Sequence, residues 1–242
     1  MPMSEAQEFS LWLRMLAERE VRFARGINGY FNRLSGKIKT AFENEGQALA
    51  EIIIEESFMD LSRVLIANYA VVTRDFAQQT ARVLQNRKAT FEDIAREFIS
   101  REGLNKAKQI NVTTKKIVRK VIIKGQTEGL SNVKIARNIS KATAGKIGRV
   151  RSLTIAITET HNAACYAAQA QAEALDVEVV RKWVSAEDDR TRPAHADKEL
   201  LKQVRRIDEP FYVGGEYIMT PREGSAANAI RCRCKLKYIP KY

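Results

Sequence analysis

Two stretches hold most of the residues that could do chemistry. Residues 183–195 read Trp-Val-Ser-Ala-Glu-Asp-Asp-Arg-Thr-Arg-Pro-Ala-His, and residues 228–234 read Asn-Ala-Ile-Arg-Cys-Arg-Cys. With Glu159 and His161 upstream, the candidates are Glu159, His161, Trp183, Asp188, Asp189, Arg190, Arg192, His195, Cys232 and Cys234. Three chemistries fit these types. His195 with Cys232 and Cys234, joined or not by His161, is a candidate structural zinc set, although Cys-X-Cys is tighter than the usual zinc spacing. A Cys–His pair is a candidate nucleophile and base, with no third orienting group marked in the sequence. The Asp and Arg residues can instead form a buried ion-pair network tying the loop to the strands, since arginine forks match carboxylates. The residues favour the third reading, a structural polar core with no catalytic residue.

These groups need elements to hold them. Residues 177–184 (Val-Glu-Val-Val-Arg-Lys-Trp-Val) have strand composition. Pro193 suits the first turn of a short helix capped by Thr191 or Asp189. Gly214-Gly215, between Phe211 and Met219, predicts a hairpin. From Ile230 to Tyr238 apolar and basic residues alternate, which predicts a strand with one wholly basic face. Cys232 and Cys234 would then point the same way, about 7 Å apart. Residues 149–175 read as one helix, with His161 and Cys165 four apart on one face. That pair has metal-ligand spacing, but core packing is the commoner use of it.

Upstream, residues 111–151 carry Lys115, Lys116, Arg119, Lys120, Lys124, Lys134, Arg137, Lys141, Lys146, Arg149 and Arg151 against the single acid Glu128. This segment holds most of the chain's net charge of +12. Eight of these cations, Lys115 to Lys141 in that order, are the candidate nucleic-acid contacts. Such contacts are independent of sequence and sensitive to salt. Thr113 or Thr114 is positioned to cap a helix, a break follows at residues 125–129, and Ser131 caps a second short helix. A helix-turn-helix that reads DNA sequence is therefore a further reading. No aromatic residue interrupts this segment, which argues against base stacking there.

The first hundred residues are rich in Ala, Glu, Arg, Gln and Leu and contain no Pro after Pro2, so they are expected to be helical. Gly26, Gly29, Gly36 and Gly46 are the expected breaks, and Thr90 the expected cap of a helix ending near Gly103. The expected fold is mainly α with a small α+β C-terminal module. Residues 1–110 form a helical bundle or stalk that packs on itself or docks on a larger assembly. Residues 111–242 form a second domain, with basic helices over 111–175 and the α+β module over 176–242. No apolar run reaches the roughly 20 residues of a membrane span. The N-terminal residues lack signal-peptide order, and three cysteines make no disulfide framework, pointing to assembly in the cytoplasm.

An ordered series of motifs carries a resemblance. Arg151-Ser-Leu-Thr-Ile-Ala-Ile-Thr-Glu-Thr-His-Asn is followed by Lys182-Trp183, Asp188-Asp-Arg-Thr-Arg-Pro-Ala-His, Pro210-Phe211, Pro221 and Cys232-Arg-Cys. Thr113-Thr114, Ile122, Gly125, Gly129-Leu-Ser and Ile135-Ala136 precede them. The series resembles the C-terminal domain of phage Mu F-like minor head proteins and covers residues 111–236. Two departures stand out: Arg231 replaces an Asn common before Cys-Arg-Cys, and Arg192 and His195 stand where many members carry a cysteine pair.

The resemblance implies a non-enzymatic virion protein of a tailed phage, assembled in the host cytoplasm and held inside the head beside the portal. It implies a part in procapsid assembly and in DNA packaging or ejection. The expected partners are the portal protein and double-stranded DNA, with scaffold or major capsid protein as further candidates. No cofactor is expected beyond the candidate structural zinc. The alternative is a metal- or His-dependent enzyme acting on nucleic acid, with His195 and the Asp188/Asp189 pair at its centre.

Overall fold

The computed structural model describes residues 3–85, 91–186 and 188–241. Six helices lead: α1 (Glu5–Glu45), α2 (Gln47–Glu56), α3 (Phe58–Val83), α4 (Phe91–Thr127), α5 (Asn132–Thr143) and α6 (Gly145–Glu173). The C-terminal part holds strand β1 (Val179–Val184), a 3-10 turn (Pro193–His195), α7 (Lys198–Lys202), β2 (Val204–Arg206), β3 (Phe211–Val213), β4 (Glu216–Ile218), α8 (Ala226–Ala229) and β5 (Lys235–Pro240). The fold is mainly α with a small α+β C-terminal module, as the composition predicts. No helix among the described residues is long and apolar enough to cross a membrane.

The chain separates into two compact units built from discontinuous segments. One comprises Met1–Arg19, Tyr69–Phe98 and Ile157–Tyr242; the other comprises Glu20–Asn68 and Ile99–Ala156. The division expected after residue 110 falls inside α4, and both units draw on α1, α3, α4 and α6.

Several expected helix boundaries move. Gly26, Gly29 and Gly36 lie within α1, and only Gly46, with φ of +79°, breaks the chain. Gly103 and Gly125 lie within α4. A Cβ at Gly125 would sit 2.6 Å from Ile135 Cγ1, so glycine there permits close approach of α5 rather than a break. Glycine costs a helix only about 1 kcal/mol per residue, which packing of this kind offsets. Thr113 and Thr114 are not caps. They sit in mid-helix and return their hydroxyls to Gln109 O (3.1 Å) and Ile110 O (2.9 Å). Gly129, with φ of +66°, does end α4, and Ser131 precedes α5 without a side-chain cap bond. The cap expected at Thr90 lies outside the described residues.

In the second unit, Tyr30, Phe31, Leu34, Ile38, Leu61, Leu65, Val118, Ile122, Ile135 and Ile139 are buried. A polar tie crosses this core. The Tyr30 hydroxyl bonds Asn111 Oδ1 and Ser57 Oγ at 2.8 Å each, and Asn111 Nδ2 donates to Ile54 O at 2.7 Å, satisfying the end of α2. Arg151 is half-buried, donates to Ile110 O at 2.9 Å and stacks over the Phe31 ring at 4.6 Å. Burial brings its pKa down to about 10.

The basic segment is less free than its composition suggests. Arg119 grips Glu51 through Nε and Nη2 at 2.6 Å each, and Lys115 pairs with both Glu51 and Glu55 of α2. The Arg119 bonds, helped by Gln47 and Lys115, lower the Glu51 pKa from 4.5 to about 2. A depressed carboxylate stabilises the fold fully above its unfolded pKa and loses that contribution as pH falls through the folded value. The window is therefore pH 4.5 down to 2. Half of the Arg119 side chain is exposed, so screening trims the effect. Between pH 6 and pH 3, urea unfolding of the wild type should lose about 1–2 kcal/mol more than that of Glu51→Gln. Equal losses would deny the cluster any role in acid stability.

In the first unit, Trp12 meets Phe76 edge-on at 4.6 Å and Tyr69 meets Phe98 at 4.9 Å. The sheet order is β2-β1-β5, all antiparallel, beside the β3-β4 hairpin whose turn is Gly214-Gly215. In β1, Val179, Arg181 and Trp183 share one face and all three are buried. The last strand differs from expectation. It starts at Lys235 rather than Ile230, and its basic residues do not all face water. Lys235 is buried, 3.9 Å from Glu8 and over the Trp12 ring. The chain instead turns at Ile230 and Arg231, where Arg231 takes a left-handed φ of +56°, and residues 232–234 lead into the strand without regular structure.

Candidate functional site

The turn before β5 and the turn after β1 converge. α8 stops at Ala229, Cys232 N donates back to Ala229 O at 3.2 Å, and the left-handed Arg231 reverses the chain. Pro193 opens the 3-10 turn, as its fixed φ permits, and delivers His195 inward. His195, Cys232 and Cys234 are all at most 3% exposed. The sulfurs of Cys232 and Cys234 lie 3.6 and 3.5 Å from His195 Nδ1, and the three donor atoms fall within 4.8 Å of one another. An extended strand would have held the two sulfurs near the 7 Å repeat; the turn brings them to one point. The Cys234 thiol's bond to Cys232 draws the Cys232 pKa down, while that bond and burial push Cys234 up, so the pair favours one thiolate and one thiol.

Residues that the sequence reading passed over orient this set. Asn228 Oδ1 lies 3.1 Å from His195 Nε2. The Asn228 amide nitrogen donates to Val213 O and to Glu216 Oε2, each at 3.1 Å. Glu216 in turn accepts from Ser225 N at 2.7 Å, and hydrogen bonds from the Ser225 side chain and then its backbone hold the Glu216 pKa below the ordinary range. Trp183 closes the inner wall, edge-on to His195 at 5.5 Å and to Phe211 at 5.7 Å. No spacing rule links Asn228 to a residue 33 positions away. Only its place in the same short stretch as the Cys-X-Cys was a clue.

The Asp–Arg loop does not form the buried ion-pair network expected of it. Asp188, Asp189 and Arg190 are exposed, and the Arg190–Asp188 pair at 2.9 Å is local and at the surface. Thr191 Oγ1 and Arg190 N both donate to Asp188 Oδ1, an Asx-type turn that shapes the loop by itself. The Arg190 bond is the main reason that the Asp188 pKa falls. Arg192 reaches across and donates to Ile230 O at 2.5 Å. Side chains already exposed to solvent satisfy their charges more cheaply with water and with one another than by burial.

Among the described residues the buried arginine is Arg181. It donates to Met219 O (2.7 Å), Glu209 O (2.5 Å), Arg206 O (3.2 Å) and Gln169 Oε1 (3.2 Å), and it lies against Phe211. Burial lowers its pKa. The missed signal was phase: Arg181 shares the inward face with Val179 and Trp183.

On α6, His161 is fully buried and its Nε2 lies 2.7 Å from Cys234 O, so that N–H donates to the turn. Cys165 Sγ lies 3.4 Å from the same nitrogen, and burial pushes its pKa well up. The i,i+4 pair thus meets at the back of the Cys-X-Cys turn, outside the three-donor set. Glu159 accepts from the Tyr69 hydroxyl at 2.8 Å. In front of the three donors lies a cleft of about 430 Å³ lined by Ile157, the Asp188–Arg192 loop and the 230–234 turn.

Chemically, two buried thiols and one oriented imidazole can bind a soft or borderline metal, or one thiol can serve as a nucleophile beside a His–Asn pair. The two sulfurs stand at nearly equal distance from Nδ1, which suits a chelate better than a nucleophile with one base.

Comparison with known proteins bears on the rest. An NAD(+)–arginine ADP-ribosyltransferase, EFV, of Enterococcus faecalis is 32% identical over 117 residues, which is 47% of this chain and 23% of that protein. The chain therefore spans about a quarter of that relative's length. No solved structure matches. The family model described as Phage Mu protein F like protein matches residues 116–237, half of the chain, and includes every residue of the cleft and of the three-donor set. The chain therefore belongs to the Phage Mu protein F like family, a structural family of phage head morphogenesis.

Proposed function

We propose that this protein is a minor head protein that sits beside the portal inside the capsid and touches packaged double-stranded DNA through the second unit. In this reading it serves procapsid assembly and DNA packaging or ejection without catalysing a reaction, and scaffold or major capsid protein are further partners. The observation that carries the DNA contact is a set of exposed cations. Lys116 and Lys120 on α4, Lys134, Arg137 and Lys141 on α5, and Lys146 and Arg149 on α6 are exposed and have no ion pair among the described residues. Lys115 and Arg119, by contrast, are held by Glu51 and Glu55. Their contribution to DNA binding is therefore secondary.

The test is salt-dependent binding to a random duplex. Neutralising Lys116, Lys120, Lys134, Arg137 and Lys141 together should weaken binding on the order of 10–100-fold, and should flatten the log K versus log salt slope by about 0.9 for each phosphate contact removed. Neutralising Lys115 and Arg119 should change it far less. Unchanged affinity in the five-residue variant sinks the DNA contact. The α4–turn–α5 geometry invites a sequence-reading alternative. Equal affinity for unrelated duplexes would dismiss that alternative, and a marked preference would favour it. The portal association is tested by co-purification with procapsids assembled with and without portal. Retention that depends on the portal supports the reading, and no retention in either case rejects it.

A further inference from the structure

We propose that His195, Cys232 and Cys234 hold one zinc ion through three protein ligands, and that the fourth coordination position faces the cleft and takes an exchangeable anion. The donor spacing is the first argument. Zinc bonds of about 2.3 Å to sulfur and 2.0–2.1 Å to nitrogen, set at the tetrahedral angle, place S and N about 3.5–3.6 Å apart. The two S···Nδ1 distances are 3.6 and 3.5 Å. Both sulfurs meet the nitrogen at the edge length of one tetrahedron.

The tautomer is the second argument. Zinc needs a neutral imidazole with its lone pair on the ligating nitrogen. Asn228 cannot turn its amide round, because its nitrogen already donates to Val213 O and Glu216 Oε2. Its oxygen therefore accepts from His195 Nε2–H, which leaves the Nδ1 lone pair aimed between the sulfurs. Partners of this kind orient metal-bound histidines and raise their basicity. Gly214 makes the arrangement sterically feasible, since a Cβ there would lie 2.6 Å from Asn228 Oδ1.

The fourth position follows from what surrounds the three donors. Among the described residues the cluster has three members, and all three line the cleft. Structural zinc is normally closed by four protein ligands, whereas three ligands and an open corner leave room for a solvent or substrate oxygen. Two thiolates and a neutral imidazole cancel the charge of the ion. Among the described residues that line the cleft Arg190 and Arg192 outnumber Asp188, so an anion with phosphate-like oxygens is the ligand favoured there. This inference concerns the first unit and does not depend on the DNA contact proposed for the second.

The experiment uses the full chain. Zinc is measured by mass spectrometry in protein purified without chelator, and about one ion per chain is expected. The chelated protein is then titrated with Co(II). Tetrahedral d–d bands should appear with charge-transfer intensity for two thiolates, and inorganic phosphate should shift the d–d bands saturably. His195→Ala and Cys232→Ser should abolish binding, but they can also unfold the module, so Asn228→Ala supplies the second reading. It keeps all three donors and should weaken zinc affinity about 10–100-fold. Sub-stoichiometric metal in the wild type overturns the proposal. So does rapid alkylation of one cysteine alone at neutral pH, which would mark a nucleophile. A spectrum of three thiolates, or one indifferent to phosphate, overturns the open corner by showing that the protein fills it. Unchanged affinity in Asn228→Ala overturns the tautomer argument.

Discussion

Arg181→Ala should be the most damaging single substitution in the C-terminal module, lowering its stability by about 4 kcal/mol or more. The guanidinium is fully buried and has no carboxylate partner among the described residues; its charge is met by Met219 O, Glu209 O and Arg206 O and by the Gln169 side chain. Removing it orphans these acceptors in a dry interior, at about 1–3 kcal/mol for each group left unsatisfied. It also undoes a junction. Gln169 Oε1 accepts from the Tyr238 hydroxyl as well, so one set of bonds joins α6, β1, β5 and the loops before β3 and after β4. Lysine carries one compact charge where arginine offers a planar fork, so Arg181→Lys should recover less than half of the loss. Urea denaturation followed by far-UV circular dichroism measures both. A loss under 1 kcal/mol for Arg181→Ala would mean that water replaces the guanidinium, contrary to its burial.

Trp183→Ala should cost about 3–5 kcal/mol, the usual range for emptying a large aromatic site. Trp183 is 2% exposed and is packed edge-on against both Phe211 and His195. The cavity would open directly behind the imidazole, so the effect should reach the thiols. Cys232 and Cys234, now buried, should react with a disulfide reagent many times faster in the variant under native conditions. Trp183→Phe, which keeps a ring in the site, should stay within about 2 kcal/mol and keep the thiols slow. If thiol reactivity in Trp183→Ala matched the wild type, the indole would not be what shields the cluster.

The two arginine environments show where sequence reasoning reached and where it stopped. Arg190 and Arg192 drew attention because they crowd two aspartates, yet Arg190 pairs locally in water and Arg192 ties one carbonyl at the rim of the cleft. Arg181 looked like an ordinary polar residue in a strand, and it is the one that is fully buried. Charge pattern tells which groups can pair along the chain. It does not tell which carbonyls a strand will meet from elsewhere. The same limit explains the glycines. Gly103 and Gly125 look like helix breaks in one dimension and prove to be places where Ile66 and Ile135 press against the helix.

By itself the sequence determined the helical character of the described residues up to Glu173, a switch to strand within residues 177–184, the hairpin at Gly214-Gly215 and membership of the head-protein family. These rest on local propensity, on the period of the hydrophobic pattern and on ordered motifs, all of which are written along the chain. Tertiary structure alone decided that α4 runs unbroken through Thr113 and Thr114, that Lys115 and Arg119 are held by acids about 60 residues away, and that Asn228 orients His195. It also decided that the Cys-X-Cys lies between a turn and the last strand rather than within the strand. Those outcomes depend on which distant surfaces meet, and burial then fixes which polar groups must find partners.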